Sequence, residues 1–387
     1  MFKETALACL FDIGGLIAGF TIALQLGVFQ LSPWAIALYP AIVSVKGVIN
    51  GLLTGRLSTA LHLGTVYPRF FRNTKTFYKL IEAMVVLTLA TGATISLISM
   101  LFGTLFWGVT ISEFPAILAV IVATMSLGLL ITLITVKVAF ISFKRGLDPD
   151  TIVYPAISTV ADVVITFCYI GVLNLYFLGA VGKYAIVFFG LINVLLVLLI
   201  LPLNVREPEF RKIIKESMGA MLLVAFLVNV TGTFLKGINE FAQSQRTIYT
   251  VYPALIDMMG DVGLVVGSAA TTKLALGVLS PSFSSIKHHA KNIFSAWTAS
   301  ILLFLLLGVL ALGINGIFSF QVASRLLLIL VISNAIAFTI IVLLSYAISI
   351  LTFKRGLDPD NFVLPVGSSL ADVITTIALF VSLLVII

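Results

Sequence analysis

The chain has 387 residues, 60% of them hydrophobic and only 10% charged, with 23 Lys and Arg against 16 Asp and Glu. A mean hydropathy of +1.19 excludes a soluble globular protein, since soluble domains carry about 25% charged residues. The net charge of +7 is gathered in particular loops; it reads as a signal of membrane topology, and nothing in it suggests a nucleic-acid partner.

Apolar runs of about 20 residues mark membrane-spanning helices. Taken in order they predict an all-α, polytopic membrane protein of about eleven transmembrane helices, roughly at 6–30, 38–65, 79–104, 115–143, 150–177, 184–204, 216–238, 251–279, 292–314, 322–352 and 360–387. The first run does not read as a convincing signal peptide: it is long, Asp12 interrupts it, and no small-residue cleavage pattern follows. Cys9 and Cys168 both lie within spans and imply no disulfide framework. Basic residues collect after the second span (Arg69, Arg72, Lys75, Lys79), the fourth (Lys144, Arg145), the sixth (Arg206, Arg211, Lys212, Lys215), the eighth (Lys287, Lys291) and the tenth (Lys354, Arg355). The positive-inside rule then predicts a multi-pass cell-membrane protein with a cytoplasmic N-terminus and an external C-terminus. Polar stretches around 66–79, 205–217 and 280–292 are loops and leave no room for a soluble domain.

One stretch occurs twice. Phe143-Lys-Arg-Gly-Leu-Asp-Pro-Asp150 returns unchanged as Phe353–Asp360, and the matches continue through Val153/Val363, Pro155/Pro365, Ala161-Asp162-Val163/Ala371-Asp372-Val373 and Thr166/Thr376. In each copy Lys and Arg close one helix, Gly follows its end, and the Asp-Pro-Asp has the pattern of an N-cap with Pro at the first helical position. Capping is a sufficient reading of that Asp-Pro-Asp; it does not account for Asp162 and Asp372, which fall inside apolar spans, where a carboxylate is costly and functional by default. Tyr39-Pro-Ala, Gly47, Thr59 and Gly64 likewise match Tyr252-Pro-Ala, Gly260, Thr272 and Gly277. A repeat this long is a duplicated domain. The expected organisation is a first five-helix repeat in 1–180, a linking helix in 181–205 and a second repeat in 206–387. Five is odd, so the linking span restores orientation and makes the repeats parallel, a pseudo-dimer within one chain for which a monomer suffices.

Intramembrane carboxylates are Asp12, Asp162, Asp257, Asp261 and Asp372; intramembrane cations are Lys46, Arg56, Lys137 and Lys273. Asp257 and Asp261, four apart, share a helix face. Pro253, Gly260, Gly263 and Gly267 around them suggest a broken or closely packed helix, and freed carbonyls can bind cations. The matching first-repeat positions of the two aspartates are Ser44 and Val48, so the acids are concentrated in the second repeat. Oxygen ligands without thiols suit a hard cation: Mg2+ keeps several waters and needs one or two carboxylates, whereas Ca2+ needs more direct oxygens. His288-His289 reads as a solvated basic loop. Lys46 and Arg56 read equally well as structural partners of Asp12 or another aspartate, and Lys137 and Lys273 as snorkelling side chains.

Lys46-Gly47, then Arg56-Leu-Ser-Thr-Ala60 and Gly64 after Pro40, resemble the first motif of the eukaryotic magnesium solute carriers, family 41, which are fused two-domain relatives of the bacterial MgtE magnesium channel. Gly260-Asp-Val-Gly263 resembles the Gly-Gly-Asn-x-Gly element of MgtE, and Gly-Leu-Asp-Pro-Asp with a following Pro and Asp resembles the last span in both groups. The resemblance covers both halves. It implies a divalent-cation transporter with a central acidic path between the repeats, lined by Asp162 and Asp372 and by the second spans near Gly47 and Gly260. Val48 and Asp261 stand where the family has Asn, and Asn50 where the solute carriers have an acid. The expected metal set is therefore Asp162, Asp372, Asp261, Asp257, Gly47, Gly260 and Asn50. The expected cargo is Mg2+, with other divalent cations or Na+ beside it, and the expected surroundings are the lipid bilayer. The uneven acids favour coupling to Na+ or H+; the alternative is an uncoupled Mg2+ channel. A membrane-embedded enzyme is the remote alternative, disfavoured because no Gly-x-Gly-Asp pattern is present and Pro149 and Pro359 separate the loop aspartates.

Overall fold

The computed structural model describes residues 2–146, 149–241, 245–354 and 367–386. Leu147 and Asp148 lie outside the described residues, as do 355–366, so the Asp148 cap, most of the second Lys-Arg-Gly-Leu-Asp-Pro-Asp copy, Val363 and Pro365 are not described. All regular structure among the described residues is helical. The long helices are α5 (Tyr39–His62), α6 (Lys75–Phe102), α7 (Phe114–Leu127), α8 (Leu129–Lys144), α9 (Pro149–Phe177), α10 (Ala180–Asn204), α11 (Pro208–Phe241), α12 (Arg246–Ala275), α13 (Ile286–Ile314), α14 (Phe320–Lys354) and α15 (Ser368–Ile386). They are preceded by the short α1 (Phe2–Leu10), α2 (Gly15–Leu24), α3 (Leu26–Phe29) and α4 (Pro33–Ala37). Gly146 takes φ 71°, the left-handed position expected just past the end of α8.

Among the described residues ten helical stretches are long and apolar enough to cross a membrane. The eleventh expected span, the first, is instead segmented. Its α1 gives way to a 3-10 turn at Phe11–Gly14, then α2, then α3. The cause is local: Asp12 is a poor residue for a helix interior, and Gly14-Gly15 withholds the side chains that would favour continuing it. Apolar side chains of α10, among them Leu191, Leu195, Leu198, Leu199 and Leu203, are exposed. Such a surface is stable in hydrocarbon and not in water, and the chain is a multi-pass membrane protein.

Packing divides the chain into two compact units: a continuous one, Gln25–Thr233, and a discontinuous one, Met1–Leu24 with Phe234–Ile387. These do not follow the sequence repeats, because the opening helices are exchanged. In the discontinuous unit α2 lies flat on α12: a Cβ at Gly15 would meet Ala254 Cα at 3.0 Å, and one at Gly19 would meet Thr250 O at 2.1 Å. In the continuous unit Gly232 of α11 meets Ala37 O in the same way, at 2.0 Å. Gly232 is the sequence counterpart of Gly19, and Ala37 that of Thr250. Each contact needs glycine, since only a hydrogen fits where two helix backbones close to van der Waals range. Serine, threonine and asparagine then tie the helices together: Ser99 Oγ donates to Asn229 Oδ1 at 2.7 Å and Trp107 Nε1 to Thr233 Oγ1 at 2.9 Å in the continuous unit. In the discontinuous unit Asn334 Nδ2 donates to Ser300 Oγ at 2.6 Å.

Candidate metal-ion site

Asp162 sits on α9 and is 3% exposed; Asp372 sits on α15 and is 4% exposed. The same device positions both. One turn beyond Asp162, Thr166 shares a hydrogen bond with the Tyr39 hydroxyl of α5 at 3.0 Å. One turn beyond Asp372, Thr376 shares one with the Tyr252 hydroxyl of α12, also 3.0 Å, and donates to the Asp372 carbonyl at 2.7 Å. Each aspartate helix is thus pinned to the second helix of its own repeat at one register. Asp162 belongs to the continuous unit with Gly47 and Asn50; Asp372 belongs to the discontinuous unit with Asp257, Asp261 and Gly260.

On α12, Asp257 and Asp261 stand on one half-buried stripe that continues through Leu264 and Ser268. The corresponding stripe of α5 is Ser44, Gly47, Gly51 and Gly55; a Cβ at Gly47 or Gly55 would meet nothing within 4 Å. Gly260 faces Ser368 Oγ, 3.8 Å from where its Cβ would be. Asn50 does not share that stripe. It is 3% exposed, on the buried side of α5 with Lys46, and neither atom of its amide has a hydrogen-bond partner among the described residues. The α12 helix is unbroken through Pro253, so of the two readings of its Pro and Gly residues, close packing is the one observed: a Cβ at Gly263 would meet Ile341 Cγ2 at 2.9 Å. The irregular backbone lies instead at Phe11–Gly14, packed beside α12.

That turn carries Asp12, 3% exposed, which sequence reasoning left out of the metal set. Its place in the first span assigned it to the first repeat, but packing puts it in the discontinuous unit, on a turn beside the helix that carries Asp261. The signal was present, a carboxylate in an apolar run; the partner helix was not readable from it. Arg56 pairs with Glu216 at 3.0 Å, and the fully buried Lys46 donates to Thr132 Oγ1 at 3.3 Å. Among the described residues no three His, Cys, Asp or Glu side chains gather into a metal-binding group.

The family model of the MgtE divalent cation transporters matches residues 39–172 and again 252–382. The chain belongs to the MgtE family. The MgtE-like segments begin at Tyr39 and Tyr252, the two tyrosines that pin the aspartate helices, and contain Asp162 and Asp372. Over 366 residues the chain is 23% identical to the mouse (Mus musculus) solute carrier family 41 member 3, covering 88% of this chain and 72% of that protein. No solved structure matches the chain. The family is one of divalent cation transporters, and the chain is read as a transporter and not as an enzyme.

Proposed function

We propose that the chain carries Mg2+ across the membrane along acids supplied by both repeats, Asp162 from the first and Asp372, Asp261 and Asp257 from the second. Gly47 and Gly260 give the ion room to approach the second helices, and Asn50 offers a carbonyl oxygen one turn from Lys46. The observation that carries this reading is the double family match, which brackets in each repeat one deeply buried aspartate pinned by the same Tyr–Thr bond. A deeply buried carboxylate in each repeat suits an ion that crosses partly hydrated and leaves again. The repeats are parallel in this reading, the N-terminus is cytoplasmic, the C-terminus is outside, and one chain suffices for transport.

The unequal acids favour a coupled carrier, exchanging Mg2+ against Na+ or H+, over a plain channel. Inequivalent halves bias a rocking motion, whereas identical halves do not. Proteoliposome flux tests both parts. The Asp162→Asn/Asp372→Asn protein is expected to lose roughly tenfold or more of its Mg2+ flux, the scale of losing bonds to a charged group, while keeping its thermal midpoint. Normal flux would make both aspartates structural. An imposed Na+ or H+ gradient is expected to drive Mg2+ in the parent and not in Asp261→Asn. Flux that follows only the Mg2+ gradient and voltage, unchanged by Asp261→Asn, would leave a channel.

A further inference from the structure

The loop joining α5 to α6, residues 63–74, is a built structure. Gly64 turns it at φ 70°, and Thr65 and Val66 N–H close back on Ala60 O at 3.0 and 3.2 Å. Asn73 then sits at its centre. Its Oδ1 accepts from Tyr67 N at 3.0 Å and its Nδ2 donates to Tyr67 O at 2.8 Å and Arg69 O at 2.6 Å. The Phe70 ring packs edge-on against Phe140, centroids 5.4 Å apart, and anchors the loop on α8. What the loop holds outward is Phe71, 86% exposed, between Arg69 and Arg72. Arg72 is the one non-glycine residue with positive φ among the described residues, at 53°. A strained backbone held by its surroundings marks a place where side-chain direction matters.

The charges nearby are already committed. Lys75 bonds Glu207 at 2.9 Å, Lys79 bonds Glu82 at 2.9 Å and also Asn204, and Arg56 bonds Glu216. The Lys75 bond holds the Glu207 carboxyl below its usual range. Arg69 lies over the Tyr67 ring at 4.9 Å, and neither it nor Arg72 meets a carboxylate among the described residues.

The second repeat supplies the control. Its loop at 276–285 begins with the same backbone: Gly277 at φ 67°, Val278 and Leu279 N–H closing on Lys273 O, and Ser282 N to Ser280 O at 2.7 Å where Arg69 N meets Tyr67 O at 2.7 Å. It departs at its end, where Phe283–Ser285 form a 3-10 turn with Ser285 at φ −68° in place of Arg72 at 53°. Yet Arg69, Phe71 and Arg72 are there Ser282, Ser284 and Ser285. The opening turn is common to both repeats; the second loop exposes Phe283 by 54%, but the two arginines and the 86% exposed Phe71 between them belong to the first.

We propose that residues 67–72 form an anionic-phospholipid site, with Arg69 and Arg72 on headgroup phosphates and Phe71 in the adjoining acyl region. The loop joins two membrane spans, Pro33–His62 and Lys75–Trp107, so it stands at the level of the headgroups. An aromatic wedge flanked by uncommitted arginines matches that boundary in polarity and in charge. Arginine's fork suits the phosphate oxygens.

The test is lipid binding to the full-length chain in detergent, followed by native mass spectrometry with phosphatidylglycerol and phosphatidylcholine. The parent is expected to prefer phosphatidylglycerol, less so at high salt, with millimolar inorganic phosphate not competing. Arg69→Ser/Arg72→Gly, in which glycine also relieves the positive φ, is expected to lose roughly fivefold in phosphatidylglycerol affinity per arginine with an unchanged thermal midpoint. Phe71→Ser is expected to weaken both lipids alike. Unchanged phosphatidylglycerol affinity in Arg69→Ser/Arg72→Gly overturns the proposal, as does equal competition by free phosphate, which would make this a soluble-anion site. Transport by the parent in neutral lipid bears on the proposed function alone and leaves this test independent.

Discussion

The second helices of the two repeats, α5 and α12, begin with the same Tyr-Pro-Ala and make the same bond to a threonine, yet they put their polar groups on opposite sides. On α12 the carboxylates Asp257 and Asp261 stand on the half-buried stripe, and the packed side is Met259, Gly263, Gly267 and Thr271, a narrow seam against α14. There Ser349 Oγ of α14 donates to Gly267 O at 3.2 Å. On α5 the stripe holds Ser44 and glycines, and the packed side is a polar ribbon of Lys46, Asn50, Thr54 and Ser58, 0, 3, 2 and 1% exposed. Thr54 returns its hydroxyl to Asn50 O at 2.9 Å, while the Ser58 hydroxyl and the Asn50 amide have no partner among the described residues. Duplication preserved the frame that sets helix register, and divergence moved charge from one face to the other. One repeat thus carries two carboxylates on this helix, and the other a fully buried lysine.

The frame is where the largest effects are expected. Gly19→Ala and Gly232→Ala each force a Cβ to about 2 Å from a backbone carbonyl that cannot yield as a side chain would. Each should cost about 3 kcal/mol, seen as a large drop in thermal midpoint, and the two costs should be similar because the contacts are counterparts. A mild effect at one site only would break the equivalence of the exchanged helices. Next comes the ribbon. Lys46→Met copies the second repeat and removes a fully buried amine hydrogen-bonded to the Thr132 hydroxyl; lifting the desolvation cost of a buried polar group should raise stability by about 1–3 kcal/mol. A higher midpoint with reduced flux would assign Lys46 to function, and a lower midpoint would show the ribbon to be better satisfied than α5 suggests. The smallest effect is expected at the lock. Tyr39→Phe and Tyr252→Phe should each lose about 1 kcal/mol, equally, in chemical unfolding of the detergent-solubilised chain; unequal losses would show that the two aspartate helices are held differently.

The helical class and the duplicated halves were legible because hydropathy and self-similarity report composition directly. The lock was half legible: Tyr39 with Tyr252 and Thr166 with Thr376 stood out as matched residues, though not as bonded pairs. The exchange of the opening helices was not legible from apolar run length, which says how far a segment reaches and nothing about its neighbour. Gly19 and Gly232 were the available sign, a matched small residue on two helices that need close partners. Asp12 followed its helix into the other repeat's unit for the same reason. Pro253 misled in part, since a proline in a membrane helix can be absorbed without breaking it. The buried side of α5 was hidden because a helix that is apolar nearly all round offers no outward face against which Lys46 and Asn50 can be recognised as inward.

The exchange also sets an order of events. The Cys9 thiol of α1 donates to the Met258 carbonyl at 3.7 Å, across 249 residues of chain. At roughly 5–20 residues per second of synthesis, the opening helices wait ~10–50 s for their partner helix to be made. Through that interval α2 keeps its glycine face, and Asp12 its carboxylate, without the helix they are shaped to meet. Cutting the chain near residue 205 would leave neither piece whole: one would hold Gly19 without Thr250, and the other Gly232 without Ala37. The two halves descend from one domain, but each is now finished by the other's first helix, and the chain matures as a single event at its end.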